Sequence, residues 1–334
     1  MINLSYDFKL KLTQRQKQEI DNILEVCRSV YNFGLRERKD WYNSRFCRIN
    51  ACSLRSEYIL PADAPYPNYN IQAKNLTQAR KNNTRLSSVH SQVLQQTLKT
   101  LDRAFSDMKA KGHGFRRFKK KMRSFLFPQL SATCLEQGRI KLPGLAFVRI
   151  RQSRPYPTGF VAKQARIIKK ASGYYVVIIF QSEETIPEHP VGETSLGIDA
   201  GIEFFVATSQ EELFAYGAAK QTKSPKFLQK ALRKLKLLQR RLKNKKKGSK
   251  NWLKLQQKIA RLHEKVANTR KDWHFKLAHY LADQSDNIFV EDINFKSWSR
   301  GIVRKQSLES GIGQFINQIL PYICWKRGKF YLKV

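Results

Sequence analysis

Two short stretches place carboxylates where a hard cation could lie. "SLGIDAG" (195–201) ends a short apolar run on Asp199 between glycines, and "NIFVEDIN" (287–294) ends a buried-type run on Glu291 and Asp292. If the two runs pair in parallel, Asp199 and Glu291 share the carboxyl edge of one sheet, the edge at which ligand sites form in open α/β sheets. Two acids converging there repel each other unless a divalent cation lies between them, and Mg²⁺ takes oxygen ligands. The chemistry this arrangement suits is phosphodiester hydrolysis, in which two metals about 3.5–4 Å apart activate water and stabilise the leaving oxygen. Such a site normally takes more than two protein carboxylates. Taken singly, Asp199 also reads as a turn residue and Glu291 as a solvated strand end. Their occurrence in this order, with a three-strand unit between them, is the stronger signal.

The elements that must hold these acids follow from pattern. After the strand ending at Asp199, a second covers Phe204–Thr208 and a short third lies around Leu213–Tyr216, with hairpin-length connections that make the three antiparallel. A basic helical pair (223–270) breaks at "KNKKKGSKN" (243–251), with Leu232, Leu235, Leu238 and Leu242 on one stripe and Leu255, Ile259, Leu262 and Val266 on the other. A helix over Trp273–Ala282 leads to the strand before Glu291.

Upstream, "NLSYDFKLKL" (3–12) alternates as a strand does. Thr13 can cap a helix running to about Tyr42, its apolar face made of Ile20, Leu24, Cys27, Val30, Tyr31 and Leu35. Pro61, Pro65 and Pro67 mark a loop region. From Asn83 to Met108 a helix presents Val89, Leu94, Leu98, Leu101, Phe105 and Met108. The period then changes to β through "GRIKLPGLAFVRIR" and "ARIIKKASGYYVVIIFQS", so a β domain brackets a helical insertion. The acidic, Pro-containing connector "EETIPEHPVGETS" (183–195) sets a domain boundary near Val191.

The chain has 334 residues, 63 Lys and Arg against 26 Asp and Glu, and a formal charge of +37. That excess points to a polyanion. The cations recur in blocks along the whole length and interleave with aromatics, as in "GFRRFKKKMRSFLF" (114–127), a pattern suited to a nucleic-acid channel. Cys27, Cys47, Cys52, Cys134 and Cys324 form no C-x-x-C pair, which argues for a reducing cytoplasm and against a zinc site. The longest apolar run, "YYVVIIF", is far short of the roughly 20 residues of a spanning helix. With no secretory leader, the expectation is a soluble protein without a membrane partner.

A family resemblance joins these readings. "LGIDAGIEFFVATS", "RKLKLLQRRL…KIARLHEKVANTRKDW" and "FVEDINFKSWSR" resemble the first and second RuvC motifs, with the intervening basic helices, of TnpB, the transposon-encoded RNA-guided DNA endonucleases similar to ancestors of type V CRISPR effectors. "KLTQRQKQEIDNILEVCRSVYNFGLRER", "VLQQTLKTLDRAF" and "GFRRFKKK" resemble amino-terminal signatures of the same family. The resemblance covers nearly the entire chain.

It implies an α+β multidomain protein: a wedge β-barrel (1–12 and 113–190) carrying a helical recognition insertion (13–112), then an RNase H-like RuvC domain (191–334). It also implies a guide RNA, a double-stranded target DNA with a short adjacent motif, and Mg²⁺ when the site is loaded. Location in a prokaryotic cytoplasm, on the nucleoid when DNA-bound, goes with it. By position, Asp199 and Glu291 are catalytic and metal-binding carboxylates, and Gln95 matches a position that touches the adjacent motif. Arg116, Arg117, Lys119, Lys120 and Lys121, with Lys245, Lys246 and Lys247 of the lysine cluster, are expected at nucleic-acid backbone.

The family continues with a zinc ribbon and a third RuvC motif that holds a last catalytic Asp, whereas this chain stops at "CWKRGKFYLKV". From Ile293 to Val334 the only acid is Glu309. Asp292 points to the opposite face from Glu291 on a strand, Asp286 lies at the wrong end, and Asp272 precedes the strand in a helix. His274, one place from where the family often has a His, reads as structural. The expectation is therefore guided DNA binding with little or no cleavage, and repression of a bound promoter. An active endonuclease and an unguided transposon accessory protein are the alternatives.

Overall fold

The structure, a computed structural model, describes residues 2–46, 60–61, 63–112, 114–183, 192–209, 221–298, 300–301 and 303–334. It divides into two compact units, 1–183 and 184–334. The Val191 boundary and the proposed strand at Leu213–Tyr216 lie outside the described residues. No described helix is long and apolar enough to cross a membrane.

In the first unit, β1 (Ile2–Lys11) turns Leu4, Phe8 and Leu10 into the core and its intervening polar residues outward. Helix α1 (Gln14–Phe46) starts at a reciprocal cap: the Thr13 hydroxyl accepts from the Gln16 N–H at 3.2 Å, and Gln16 Oε1 accepts from the Thr13 N–H at 3.1 Å. All six residues expected on its apolar face are buried. Helices α2 (Tyr69–Lys81) and α3 (Ser91–Lys111) follow.

The single helix expected from Asn83 is instead a turn over Thr84–Ser87 and then α3. Asn83 caps that turn, and the Ser87 and Ser88 hydroxyls donate to the carbonyls of Thr84 and Arg85. These short side chains bond local backbone and so end helices early.

The chain then forms β2 (Ser124–Phe127), β3 (Leu135–Glu136), β4 (Arg139–Leu142), β5 (Ala146–Arg151), β6 (Val161–Lys170) and β7 (Gly173–Ser182). All pairings are antiparallel, in the order β2-β6-β7-β1-β5-β4-β3. The first strand in sequence thus lies at the centre of the sheet. Phe8, Phe127, Ile178 and Phe180 share one apolar cluster with Ile20, Val26 and Leu94, so sheet and helices stand on a common core. Burial of each such side chain contributes about 1.5–3 kcal/mol.

In the second unit, β8 (Ser195–Asp199), β9 (Phe204–Thr208) and β10 (Gln221–Lys223) are antiparallel, and β11 (Asn287–Val290) and β12 (Phe330–Lys333) run parallel to β8. The order is β10-β9-β8-β11-β12. Helices α4 (Phe227–Lys243) and α5 (Lys250–Gln284) form the basic pair, and the Ser249 hydroxyl caps α5 at the Trp252 N–H, 3.2 Å away. The helix expected separately at Trp273–Ala282 is the end of α5, because "ANTRKD" (267–272) contains no breaker. Its amino-terminal half packs a half-buried seam against α4, and its carboxyl-terminal half buries Leu277, Ala278, Leu281 and Ala282.

After α6 (Arg304–Ser310), helical turns over 312–319 lead into α7 (Leu320–Arg327) and the closing strand β12. The turn over Phe315–Ile319 is π-helical, a widening that accommodates Pro321, which lacks a backbone N–H.

Candidate carboxylate edge and nucleic-acid interface

Parallel pairing of β8 and β11 ends with Ile198 opposite Val290, and Asp199 and Glu291 are the next residue on each strand. Residues in register share a face, so both acids leave the carboxyl edge on one side, with neighbouring strands about 4.8 Å apart. Both are exposed, and neither carboxylate has a hydrogen bond or ion pair among the described residues. Asp199 is the last strand residue, not the turn-former. Close approach is the task of Gly201, where a Cβ would lie 2.6 Å from the Phe204 carbonyl oxygen.

Four other acids of this unit have partners within the chain. Asp292 accepts from Lys333 Nζ at 3.2 Å. Asp286, at the amino end of β11, accepts from Lys329 Nζ at 2.6 Å and from the Thr194 hydroxyl at 2.8 Å, and the Lys329 bond leads in lowering its pKa. Asp272 pairs with Lys276 at 2.8 Å on an exposed stretch of α5. Glu309 accepts from the Gln229 N–H at 2.9 Å, in the first turn of α4, where a carboxylate complements the free N–H groups. Among the described residues, no group of three His, Cys, Asp or Glu is placed to hold a metal ion.

His274 is fully buried in the core beneath the edge. Its ring stacks on Phe205 at 5.2 Å, Nε2 lies 3.0 Å from the Ser310 carbonyl oxygen, and Nδ1 has no hydrogen-bond partner among the described residues. Nε2–H therefore donates, and a second ring proton would be an unpaired buried donor. Burial leads in pushing its pKa down to about 4.

The basic segment after α3 divides into anchors and free heads. Arg116 Nε donates to the Ala104 carbonyl at 2.9 Å. Lys119 is pinned at its backbone by the Asn32 side-chain amide, whose Nδ2 donates to the Lys119 carbonyl and whose Oδ1 accepts from the Lys119 N–H, and its ammonium lies 3.7 Å from the Tyr31 ring centroid. Burial lowers its pKa. Arg117, Lys120 and Lys121 are exposed. Lys39 sits between the exposed rings of Phe115 and Phe118, 5.6 and 4.7 Å from their centroids. Gln95 is half-buried on α3.

In the second unit, Lys245, Lys246 and Lys247 are exposed at the turn between α4 and α5. They adjoin a cleft of about 490 Å³ lined by Arg241, Asn244, Lys245, Asn251, Lys254, Leu255 and Lys258, with no acid in the lining. The sequence reading does not single out Lys333 as the group that occupies Asp292, because that pairing depends on β12 lying beside β11. Nor does it single out the exposed cations of β1, β4 and β5, whose signal is the alternation in "KLKL", "RIKL" and "VRIR".

Comparison with known proteins places this arrangement. The chain shares its fold with a chain from the "Cryo-EM structure of the Cas12f1-sgRNA-target DNA complex", at a TM-score of 0.52 and 11% identity over 96% of this chain and 73% of that one. Residues 178–300 match the OrfB_IS605 family, described as "Probable transposase", and residues 1–46 match its "Helix-turn-helix domain". Over that second span the structure has a strand and one unbroken helix. "Putative RNA-guided DNA endonuclease InsQ" of Escherichia coli (strain K12) is 30% identical over 301 residues, covering 89% of this chain and 67% of the relative. A "Putative RNA-guided DNA endonuclease" of Streptomyces pristinaespiralis is 26% identical over 329 residues, covering 97% and 75%. The chain belongs to the TnpB family.

Proposed function

We propose that this protein binds a double-stranded target DNA under the direction of a guide RNA, and that the 334-residue chain cuts it little or not at all. The second unit is a RuvC-like nuclease core of RNase H type. The parallel register of β8 and β11, which sets Asp199 beside Glu291 with no cation of the described residues paired to either, is the observation that carries this reading. Two exposed, unpaired carboxylates fit a divalent ion, so Asp199 and Glu291 would hold Mg²⁺, which when bound supplies the charge that activates water for phosphodiester hydrolysis. Asp292, Asp286, Asp272 and Glu309 are each held by this chain's own donors, and weak metal retention with weak cleavage follows from that.

Guide pairing supplies sequence recognition, while the protein supplies charge, shape and contact with the adjacent motif. Gln95 on α3 is the motif contact. Arg117, Lys120, Lys121, Lys245, Lys246 and Lys247 meet nucleic-acid backbone, with Arg116 and Lys119 fixing the first group in place. A bound, uncut promoter is repressed, and the protein works on the nucleoid in a prokaryotic cytoplasm. The relatives' names favour a second reading, an active endonuclease.

Incubation of the protein and guide RNA with a matched duplex and Mg²⁺ separates the two. Stoichiometric binding without strand breaks is expected. Breaks that vanish in Asp199→Ala and Glu291→Ala would establish the second reading, and absence of guide-dependent binding would overturn both.

A further inference from the structure

Phe33 and Glu37, one turn apart on α1, take no part in guided binding as read above, yet both line two cavities of the first unit. The first, about 510 Å³, has apolar walls from α1, α2 and α3 that include Val30, Leu76 and Leu98. The second, about 620 Å³, is lined by the same pair and by Trp41. Sites for small organic molecules span about 300–1,000 Å³.

The Glu37 carboxylate is held in place without being neutralised. Arg38, 1% exposed, donates from Nη2 to Asp102 at 2.9 Å and from Nε to the Gln72 side-chain oxygen at 3.2 Å. With that oxygen engaged, the Gln72 amide nitrogen donates to the Gly34 carbonyl at 2.9 Å and to Glu37 Oε2 at 2.7 Å. Gln72 is 3% exposed, and Gly34 admits it: a Cβ there would lie 3.2 Å from Gln72 Nε2 and 3.1 Å from Leu101.

This network fixes one carboxylate oxygen and leaves Oε1 without a hydrogen bond among the described residues. No Lys or Arg among them forms an ion pair with Glu37, since the guanidinium of Arg38 is given to Asp102 and Gln72. Burial leads in raising the Glu37 pKa, a cost that a cation brought to the carboxylate would offset.

Phe33 is 66% exposed. A ring and a carboxylate four residues apart on a helix are neighbours, and together they suit an ammonium group, through cation–π attraction and a charge-assisted hydrogen bond. The apolar walls suit a body without charge. A phosphate, by contrast, is repelled by Glu37. Arg85, the other charged residue lining the first cavity, acts on Glu25, and Arg36, lining the second, pairs with Asp40 at 3.6 Å.

We propose that these cavities form a binding site for a small organic cation, an amine with an aliphatic or aromatic body. Its ammonium lies on Glu37 and Phe33, and its body packs against Val30, Leu76 and Leu98. The site goes beyond guided binding, and its test needs no RNA.

Titration calorimetry of the full chain with 2-phenylethylamine at fixed ionic strength tests it, with 2-phenylethanol and 3-phenylpropanoate as neutral and anionic counterparts. The amine should bind at least about tenfold more tightly than either counterpart, the ratio expected of a hydrogen bond to a charged group. Glu37→Gln should lose about tenfold or more in amine affinity, and Phe33→Ala about two- to fivefold. The amide oxygen introduced by Glu37→Gln can still accept from Gln72, so that variant should melt close to the parent. Asp272→Asn in the second unit should leave amine affinity unchanged.

Equal binding of the three compounds, or no binding of the amine to the parent, overturns the site. So does a folded Glu37→Gln variant with the parent's affinity, or an equal loss in Asp272→Asn, which would mean unspecific attraction to surface acids. Preference for 3-phenylpropanoate would give the cavity to Arg85 and an anion, and overturns it as well. Each of these results leaves guide-dependent DNA binding standing.

Discussion

In the seven-stranded sheet of the first unit, adjacent strands set lysines and arginines opposite one another; in the five-stranded sheet of the second, adjacent strands set Asp199 beside Glu291. Each arrangement weakens its own sheet, since neighbouring like charges repel. Elsewhere both units neutralise their charges locally, through Lys170 and Asp7 in one and Lys333 and Asp292 in the other. The contrast within each unit is that paired charges contribute to holding the fold, whereas like charges in register, without ion pairs among the described residues, do not.

That comparison requires each charged surface to stand on a rigid core. The largest test is Phe205→Ala beneath the acidic edge, where the ring lies 4.9 Å from Trp273 and 5.2 Å from Phe315. Urea unfolding should register a loss of about 3–5 kcal/mol. A loss below about 1 kcal/mol would mean that the edge is not held from below.

Acid should separate the units by sign. His274, at about 4 when folded against 6.5 unfolded, contributes stability that is complete above 6.5 and is lost as pH falls from there toward 4. The loss reaches about 3 kcal/mol. His274→Gln should flatten unfolding midpoints over that window. Burial raises the pKa of Glu37 in the first unit, so its contribution runs the other way: it is present in acid and lost as pH rises through the raised value. Glu37→Gln should remove that trend, and a His274→Gln profile as steep as the parent's would break the contrast.

A smaller effect belongs to Thr13, whose cap starts α1 from the end of the cationic strand β1. Thr13→Ala should cost about 1 kcal/mol in thermal unfolding. Smallest is Asp199→Asn. The variant should melt slightly above the parent without Mg²⁺ and gain nothing from added Mg²⁺, while the parent's melting temperature rises. A parent indifferent to Mg²⁺ would remove the acidic edge from the comparison.

Much of the fold is legible in order. The alternation of "NLSYDFKLKL", the Thr13 cap and the stripe from Ile20 to Leu35 appear as β1 and α1, because periodicity and capping are local. The carboxylate pair is also legible, since two apolar runs ending on acids announce a sheet edge. The break before α3 is not, because serine side chains competing for backbone carbonyls look in sequence like ordinary helix surface. The unity of α5 is hidden by its change from a lysine-rich surface to a buried face at His274.

The order of residues alone determined the cationic excess, the amphipathic helices, the alternating strands and the two acid-tipped runs, all of which depend on neighbours within a few positions. Which acids stay free was decided only in three dimensions. Asp292 is occupied by Lys333 because β12 lies beside β11, and Glu309 is used because it reaches the first turn of α4, 80 residues away in sequence. The rows of Lys11, Arg149 and Arg139 likewise exist only through strand register, since charge acts over ångströms of space and takes no account of distance along the chain.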